Sequence, residues 1–155
     1  TVATTSQPAL SSMTSASPLK CLWSAPRLAS FMARLAPLPD GKPVNCADPT
    51  QYVSCFNEYN GKEFSAYATA IDRYADEWFD LVVVDGRVRH SCIAHAMRKV
   101  KQQGILLLDN ADRTYYLAPF PELADAGKWE LLTFVGHFPF GPASVVNTTK
   151  LFLKL

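Results

Sequence analysis

The chain has 155 residues, of which 48% are hydrophobic, and its 15 Lys and Arg nearly balance 14 Asp and Glu, for a formal net charge of +1. This length and composition suit one soluble globular domain with a substantial core. The interspersed charges form no basic stripe and no apolar run reaches the roughly 20 residues of a membrane span, so we expect neither a nucleic acid nor a membrane as partner.

The first part of the chain predicts a tail followed by a helix. Residues 1–20 are rich in Ser, Thr, Ala and Pro, which predicts a disordered tail or linker before a domain at residues 21–155. Because the chain opens on Thr1, we expect that sequence has been lost upstream; the alternative is a transit peptide. From Trp23 to Leu35, apolar residues at helical spacing predict an amphipathic helix.

Two weaker signals precede the most regular part of the sequence. Residues 43–47 predict a short strand, and Asp48 with Pro49 marks the turn after it. Apolar residues at helical spacing predict a further helix over residues 64–74.

Two short apolar runs, each ending on a carboxylate, are the most informative feature. Residues 81–84 precede Asp85, and residues 105–108 precede Asp109 and Asn110. Continuous apolar runs of this length predict strands that are buried on both faces, so we expect Val83 and Leu107 to be almost fully buried.

The segment between the two runs predicts one helix over residues 87–103, which would end at Gly104. Strand, helix and strand then form a right-handed crossover with parallel strands. The carboxylates would therefore emerge at the same edge of the sheet, where open α/β sheets bind their ligands.

The end of the chain predicts an antiparallel hairpin. A short helix at residues 121–126 leads to a strand at residues 129–135, and the alternating residues 149–155 predict an outer strand.

The four cysteines have no CxxC or zinc-ligand spacing, which favours reduced structural thiols over disulfides or a zinc site. A reducing compartment follows, and we expect a cytoplasmic protein. The cysteines are Cys21, Cys46, Cys55 and Cys92.

The stretch FDLVVVDGRVRHSCIAHAMRKVKQQGILLLDNADRTYY resembles the second half of class I S-adenosylmethionine-dependent methyltransferases, and the ending TTKLFLK resembles the same branch. The resemblance implies an α/β, Rossmann-like methyltransferase sheet of strand order 3-2-1-4-5-7-6, mostly parallel with an antiparallel C-terminal hairpin. This chain would supply strands three to seven. The fold is expected to be N-terminally incomplete, because the glycine-rich cofactor loop of the family has no counterpart in the sequence.

The resemblance also implies a reaction, the transfer of a methyl group from S-adenosylmethionine to an oxygen or nitrogen of a small molecule or glycan. The acceptor atom would attack the sulfonium methyl in line, and the site would provide alignment. Two alternatives remain open. One is a non-catalytic Rossmann-like remnant or interaction module, and the other is a different Rossmann enzyme such as a nicotinamide oxidoreductase.

Catechol and caffeoyl coenzyme A O-methyltransferases hold a divalent cation at the ends of the same two strands. The resemblance therefore implies that Asp85, Asp109 and Asn110 bind Mg²⁺ or another divalent cation, which would activate a substrate hydroxyl. The alternative is that the carboxylates accept backbone N–H bonds as strand-end and cap residues. Val88 stands where these enzymes carry a general-base lysine.

Further residues around this edge complete the candidate site. With Asp85, we predict Arg87 as a group that orients an anionic substrate, as the neighbouring Arg89 could also do. His90 is predicted as a base near neutral pH, the alternative being a residue of the helix face. Asp48 would meet the adenine amine, and Asp85 would also contact the cofactor. Three residues could line the mouth for the substrate: Arg113, Tyr115 and Tyr116.

A sheet that starts at its third strand leaves one flank of the Asp85 strand without a neighbour. We therefore expect the chain to self-associate through this exposed edge and to bind S-adenosylmethionine weakly.

Overall fold

A computed structural model describes residues 20–24, 34–35, 44–54, 59, 62–137 and 146–155. The tail predicted at residues 1–20 lies outside this part of the chain, apart from Lys20. The helix predicted from Trp23 to Leu35 is described only at its two ends.

The fold is α/β, built on a mixed five-stranded sheet. Its strands, in the order β1-β4-β5-β7-β6, are β1 (Cys21–Ser24), β4 (Phe79–Val84), β5 (Val100–Leu108), β7 (Val146–Lys154) and β6 (Trp129–His137). A separate antiparallel ribbon pairs β2 (Arg34–Leu35) with β3 (Lys62–Glu63).

The pairing of the strands confirms part of the expected topology. β4 and β5 are adjacent and parallel, and β5 is the central strand of the sheet. β7 pairs antiparallel with both β5 and β6, so the predicted C-terminal hairpin is present. The predicted outer strand is wrong, because β7 lies inside the sheet and β6 at its edge. The five-stranded sheet has two parallel pairs, β1 with β4 and β4 with β5, and two antiparallel pairs, so it is mixed and not clearly mostly parallel.

The hydrophobic core lies on one face of β4 and β5. In register, Val82 lies opposite Leu106 and Val84 opposite Leu108, and all four are buried in one cluster with residues of the helices. The other face is only half-buried, so the prediction that Val83 and Leu107 are almost fully buried is wrong. The described helices pack on the first face. The sequence could not show this, because a continuous apolar run looks the same on both faces of a strand.

Two helices contribute to this core. α1 (Ser65–Ala68) continues as a 3₁₀ turn, Thr69–Arg73, which confirms the helix predicted over residues 64–74. α2 (Arg89–Ala96) continues as the 3₁₀ turn Met97–Lys99 and is shorter than the predicted helix over residues 87–103.

Gly104 lies inside β5 and does not end α2. The register between β4 and β5 shifts here, with Phe79 opposite Val100 but Leu81 opposite Ile105. A Cβ atom at position 104 would come within 2.9 Å of the Lys101 carbonyl oxygen and 3.2 Å of the Asp80 carbonyl oxygen. The glycine therefore permits a close approach of two backbones at this irregularity.

The N-terminal predictions need correction. Cys21–Ser24 is a strand parallel to β4, with Ser24 opposite Val84, and Arg34–Leu35 is also extended, so the predicted helix is wrong at both described ends. The expected unpaired flank of β4 is wrong for the same reason. Residues 44–47 form a turn and not the predicted strand. Pairing with a distant strand outweighs local helical spacing in these segments.

The expectation of reduced structural thiols is met at Cys92 and is wrong at Cys46. Cys46 forms a disulfide, and Cys92 is a free, buried thiol whose pKa burial raises to about 12. Within the described ranges, no helix combines the length and the apolar character that crossing a membrane requires.

Candidate functional site

The carboxyl ends of β4 and β5 bring the three strand-end residues Asp85, Asp109 and Asn110 together around one guanidinium. Arg89, in the first turn of α2, donates from Nη2 to Asp85 Oδ1 at 2.9 Å and from Nη1 to Asn110 Oδ1 at 2.7 Å. Nη1 also donates to the Asp109 carbonyl oxygen and lies 4.0 Å from Asp109 Oδ2. We call these four residues the strand-end cluster.

The final strand completes the cluster from the other side. Asn147 Nδ2 donates to Asp109 Oδ1 at 2.8 Å, and the Thr149 hydroxyl donates to the same oxygen at 3.1 Å. Asn147 Oδ1 in turn accepts a 2.7 Å hydrogen bond from Asn110 Nδ2. Donors from two elements, α2 and β7, thus satisfy the strand-end oxygens.

The pKa values of Asp85 and Asp109 are shifted in opposite directions. Burial raises the pKa of Asp85, and the Asp109 charge adds to the rise while Arg89 opposes it. Burial also acts to raise the pKa of Asp109, but the hydrogen bond from Asn147 and the charge of Arg89 outweigh it, so that pKa is lowered. Asp109 is therefore the more firmly ionised of the pair.

The arrangement does not fit a divalent cation unless Arg89 moves away. The resemblance assigns the Asp85 and Asn110 oxygens to a metal, but these oxygens already accept hydrogen bonds from the Arg89 guanidinium. No group of three His, Cys, Asp or Glu side chains within the described residues could hold a metal ion. Metal binding by the strand-end oxygens stays a prediction.

A small cavity lies beside the strand-end cluster, between the turn at residues 44–54 and the loop after β4. Its volume of about 10 Å³ holds one water molecule. His90 and Tyr116 line it, and their rings stack with centroids 6.5 Å apart. The other lining residues are Cys46, Val53, Ser54, Gly86, Arg87, Val88 and Tyr115.

His90 is the unusual group of this cavity. Its side chain is buried, with 2% of the residue exposed, and neither ring nitrogen has a hydrogen-bond partner among the described residues. Burial lowers its pKa to about 4, so the ring is neutral at physiological pH. Such a ring offers one donor and one acceptor to a polar ligand and is a weak base near neutral pH.

The remaining predicted residues lie around this cavity and not in the strand-end cluster. Arg87 donates to the Tyr59 hydroxyl at 3.2 Å and lies over that ring at 4.5 Å. Asp48 caps its own turn through Thr50, and it is close enough to His90 for the charge of each to shift the pKa of the other. Arg113 donates to the Tyr116 hydroxyl at 3.1 Å.

Sequence reasoning missed Asn147 and Thr149, and it named Arg89 without predicting its contact with the strand-end carboxylates. The spacing of Arg89, four residues after Asp85, is a signal that could have identified this contact. Asn147 and Thr149 carry no local signal, because only the register of β7 brings them to Asp109.

The comparisons with known proteins are sparse. No protein-family model and no curated protein matches the chain. Among solved structures, it is similar to cofactor-bound Rv0187 from MTB, with 16% identity and a TM-score of 0.43 over 59% of this chain and 47% of that one. The chain thus spans about half the length of that structure.

Proposed function

We propose that this chain carries the catalytic edge of an S-adenosylmethionine-dependent methyltransferase that acts on an oxygen or nitrogen of a small molecule or glycan. The observation that supports it most is the strand order β1-β4-β5-β7-β6, with β7 antiparallel to both of its neighbours. The resemblance implies the order 1-4-5-7-6 for the same positions, and β1 takes the place next to β4 that belongs to the first strand of that family.

The position of the polar residues agrees with this proposal. Asp85 and Asp109 follow neighbouring parallel strands, and ligands of open α/β sheets bind outside such carboxyl ends. Of the predicted cofactor residues, Asp85 directly precedes Gly86, which lines the cavity, and Asp48 is close enough to His90 for their charges to interact.

In this proposal the nucleoside end of the cofactor binds at that cavity. The unpartnered nitrogens of His90 would exchange hydrogen bonds with the polar edge of the purine, and Tyr115 and Tyr116 supply aromatic surface. Because the cavity holds only one water, the turn at residues 44–54 has to move outward for binding.

The cofactor would supply an electrophilic methyl group on a sulfonium. The chain would orient the acceptor, whose lone pair forms the new bond as the carbon–sulfur bond breaks and whose proton is lost to solvent or to a nearby carboxylate. With its raised pKa, Asp85 is the better placed of the two acids to take up that proton. Arg87 would orient an anionic acceptor.

Titration calorimetry with S-adenosylmethionine and S-adenosylhomocysteine tests the proposal. Binding is expected to be weak, because the sequence has no glycine-rich loop. The decisive quantity is therefore the ratio of the dissociation constants of a variant and the wild type. His90→Phe should weaken binding at least tenfold, whereas His137→Phe, at an exposed position of β6, should leave it unchanged. Equal affinities, or no binding by the wild type, would contradict the proposal.

A non-catalytic remnant or interaction module is the second candidate, and one observation favours it. The strand-end oxygens are already satisfied by Arg89, Asn147 and Thr149, which leaves little polar capacity for a substrate. This candidate predicts no transfer of labelled methyl groups to any of a panel of phenols, amines and glycans, together with no cofactor binding in the titration.

A further inference from the structure

Arg89 occupies the position at which a metal-dependent enzyme of this kind would need its cation. All three guanidinium nitrogens are engaged at the strand ends. Nε donates to the Gly86 carbonyl oxygen at 3.0 Å, Nη2 to Asp85, and Nη1 to Asn110 and the Asp109 backbone.

The guanidinium is built into the fold and is not a mobile surface group. Only 5% of Arg89 is exposed, and its helix begins directly after Val88, which has the left-handed values φ 44° and ψ 47°. A buried β-branched residue holds this conformation only where its surroundings impose it. The left-handed turn starts α2 immediately behind the strand ends and so positions Arg89 over them.

A divalent cation and this guanidinium cannot share the cluster. Mg²⁺ and Ca²⁺ need oxygen ligands at about 2.0–2.6 Å, and the Asp85 and Asn110 oxygens lie 2.9 and 2.7 Å from Arg89 nitrogens. A metal at those oxygens would stand within a few ångströms of a permanent positive charge in a partly buried setting, where like charges repel strongly.

We propose that Arg89 is the resident cation of this site, so that the strand-end cluster works without a divalent metal. The guanidinium balances Asp85 and Asp109 and holds both side chains at the mouth of the sheet. Arg89 is thus a positioning residue. This inference does not depend on methyl transfer, because it concerns only what neutralises and orders the strand-end oxygens.

Thermal unfolding with and without Mn²⁺ tests the proposal. The Tm of the wild type should be the same in Mn²⁺ and in EDTA. Arg89→Ala should lower the Tm and create a requirement for an external cation, so that its Tm rises by roughly 3 °C for each tenfold increase of Mn²⁺ above the Kd. Arg113→Ala, which removes a guanidinium bound to Tyr116, should stay insensitive to Mn²⁺.

Two further measurements keep the result decisive. Arg89→Lys retains the positive charge but loses the planar set of guanidinium N–H donors. We expect its Tm to lie between those of the wild type and Arg89→Ala and not to respond to Mn²⁺. Calorimetric titration of the wild type with Mn²⁺ should show no binding, which supports the proposal even if Arg89→Ala does not fold. Stoichiometric binding by the wild type that is lost in Asp109→Asn, or a folded Arg89→Ala that ignores Mn²⁺, would overturn it.

Discussion

Asn147 and Asp109, 38 residues apart in the chain, are joined by a 2.8 Å hydrogen bond from the Asn147 amide to the Asp109 carboxylate. The bond links the last strand of the sheet to the central one at the mouth of the site. It also gives Asp109 a neutral donor beside the charged Arg89, which favours the ionised carboxylate.

Asn147→Asp should destabilise the protein by about 1–3 kcal/mol at pH 7, because it replaces a donor with a second negative charge facing Asp109. Urea unfolding measures the change. Asn45→Asp is the matched control, since Asn45 Oδ1 accepts a hydrogen bond from the Ala47 amide in an exposed turn and a carboxylate accepts it equally well. The same loss in both variants would show that the strand-end bond contributes nothing specific.

The two faces of β5 should differ in their sensitivity to truncation. Leu106→Ala removes a fully buried side chain and should cost about 2–5 kcal/mol, whereas Leu107→Ala, on the half-buried face, should cost about half as much. Both substitutions delete the same atoms from adjacent positions of one strand. Equal losses in chemical denaturation would mean that something covers the second face in solution.

His90 should make stability depend on pH between 6.5 and about 4. Its pKa in the folded protein, about 4, lies below the ordinary value of 6.5, so the unfolded chain takes up a proton first as the pH falls. The stability present above pH 6.5 is therefore lost towards pH 4, by up to about 3 kcal/mol.

Unfolding of His90→Phe across this range is the measurement, and the difference from the wild type isolates the contribution of this one group. His137→Phe should keep the pH dependence of the wild type, since His137 is exposed. A wild type whose stability does not change relative to His90→Phe would show that the ring is solvated or paired.

Gly104→Ala should destabilise the protein by about 1–3 kcal/mol, because the new methyl group would meet the Lys101 carbonyl and the Val100 side chain, each at 2.9 Å. Gly136→Ala is the control within another strand. Nothing lies within 4 Å of a Cβ atom there, so its Tm should not fall. A neutral effect at position 104 would refute the tight packing around this glycine.

The sequence predicted the two strands that end at the site but not the side-chain contacts that join their ends. The runs ending at Asp85 and Asp109 are strands because β-branched and leucine residues of that length suit buried sheet positions. Trp23 was assigned to a helix, since local spacing carries no information about pairing with β4, 60 residues further on. The sequence predicted a helix from residue 87, whereas α2 begins at Arg89, and the two starting points turn different side chains towards the strand ends.

Synthesis of the chain runs from β4 to β7, and this order bears on how the strand-end cluster is assembled. Arg89, Asp85 and Asp109 leave the ribosome before Asn147 and Thr149 have been made. Until β7 docks, β5 is an unpaired edge, although it becomes the central strand of the finished sheet. A translational pause before residue 146 would therefore expose β5, with its apolar run Ile105 to Leu108, to other nascent chains, with aggregation as the result.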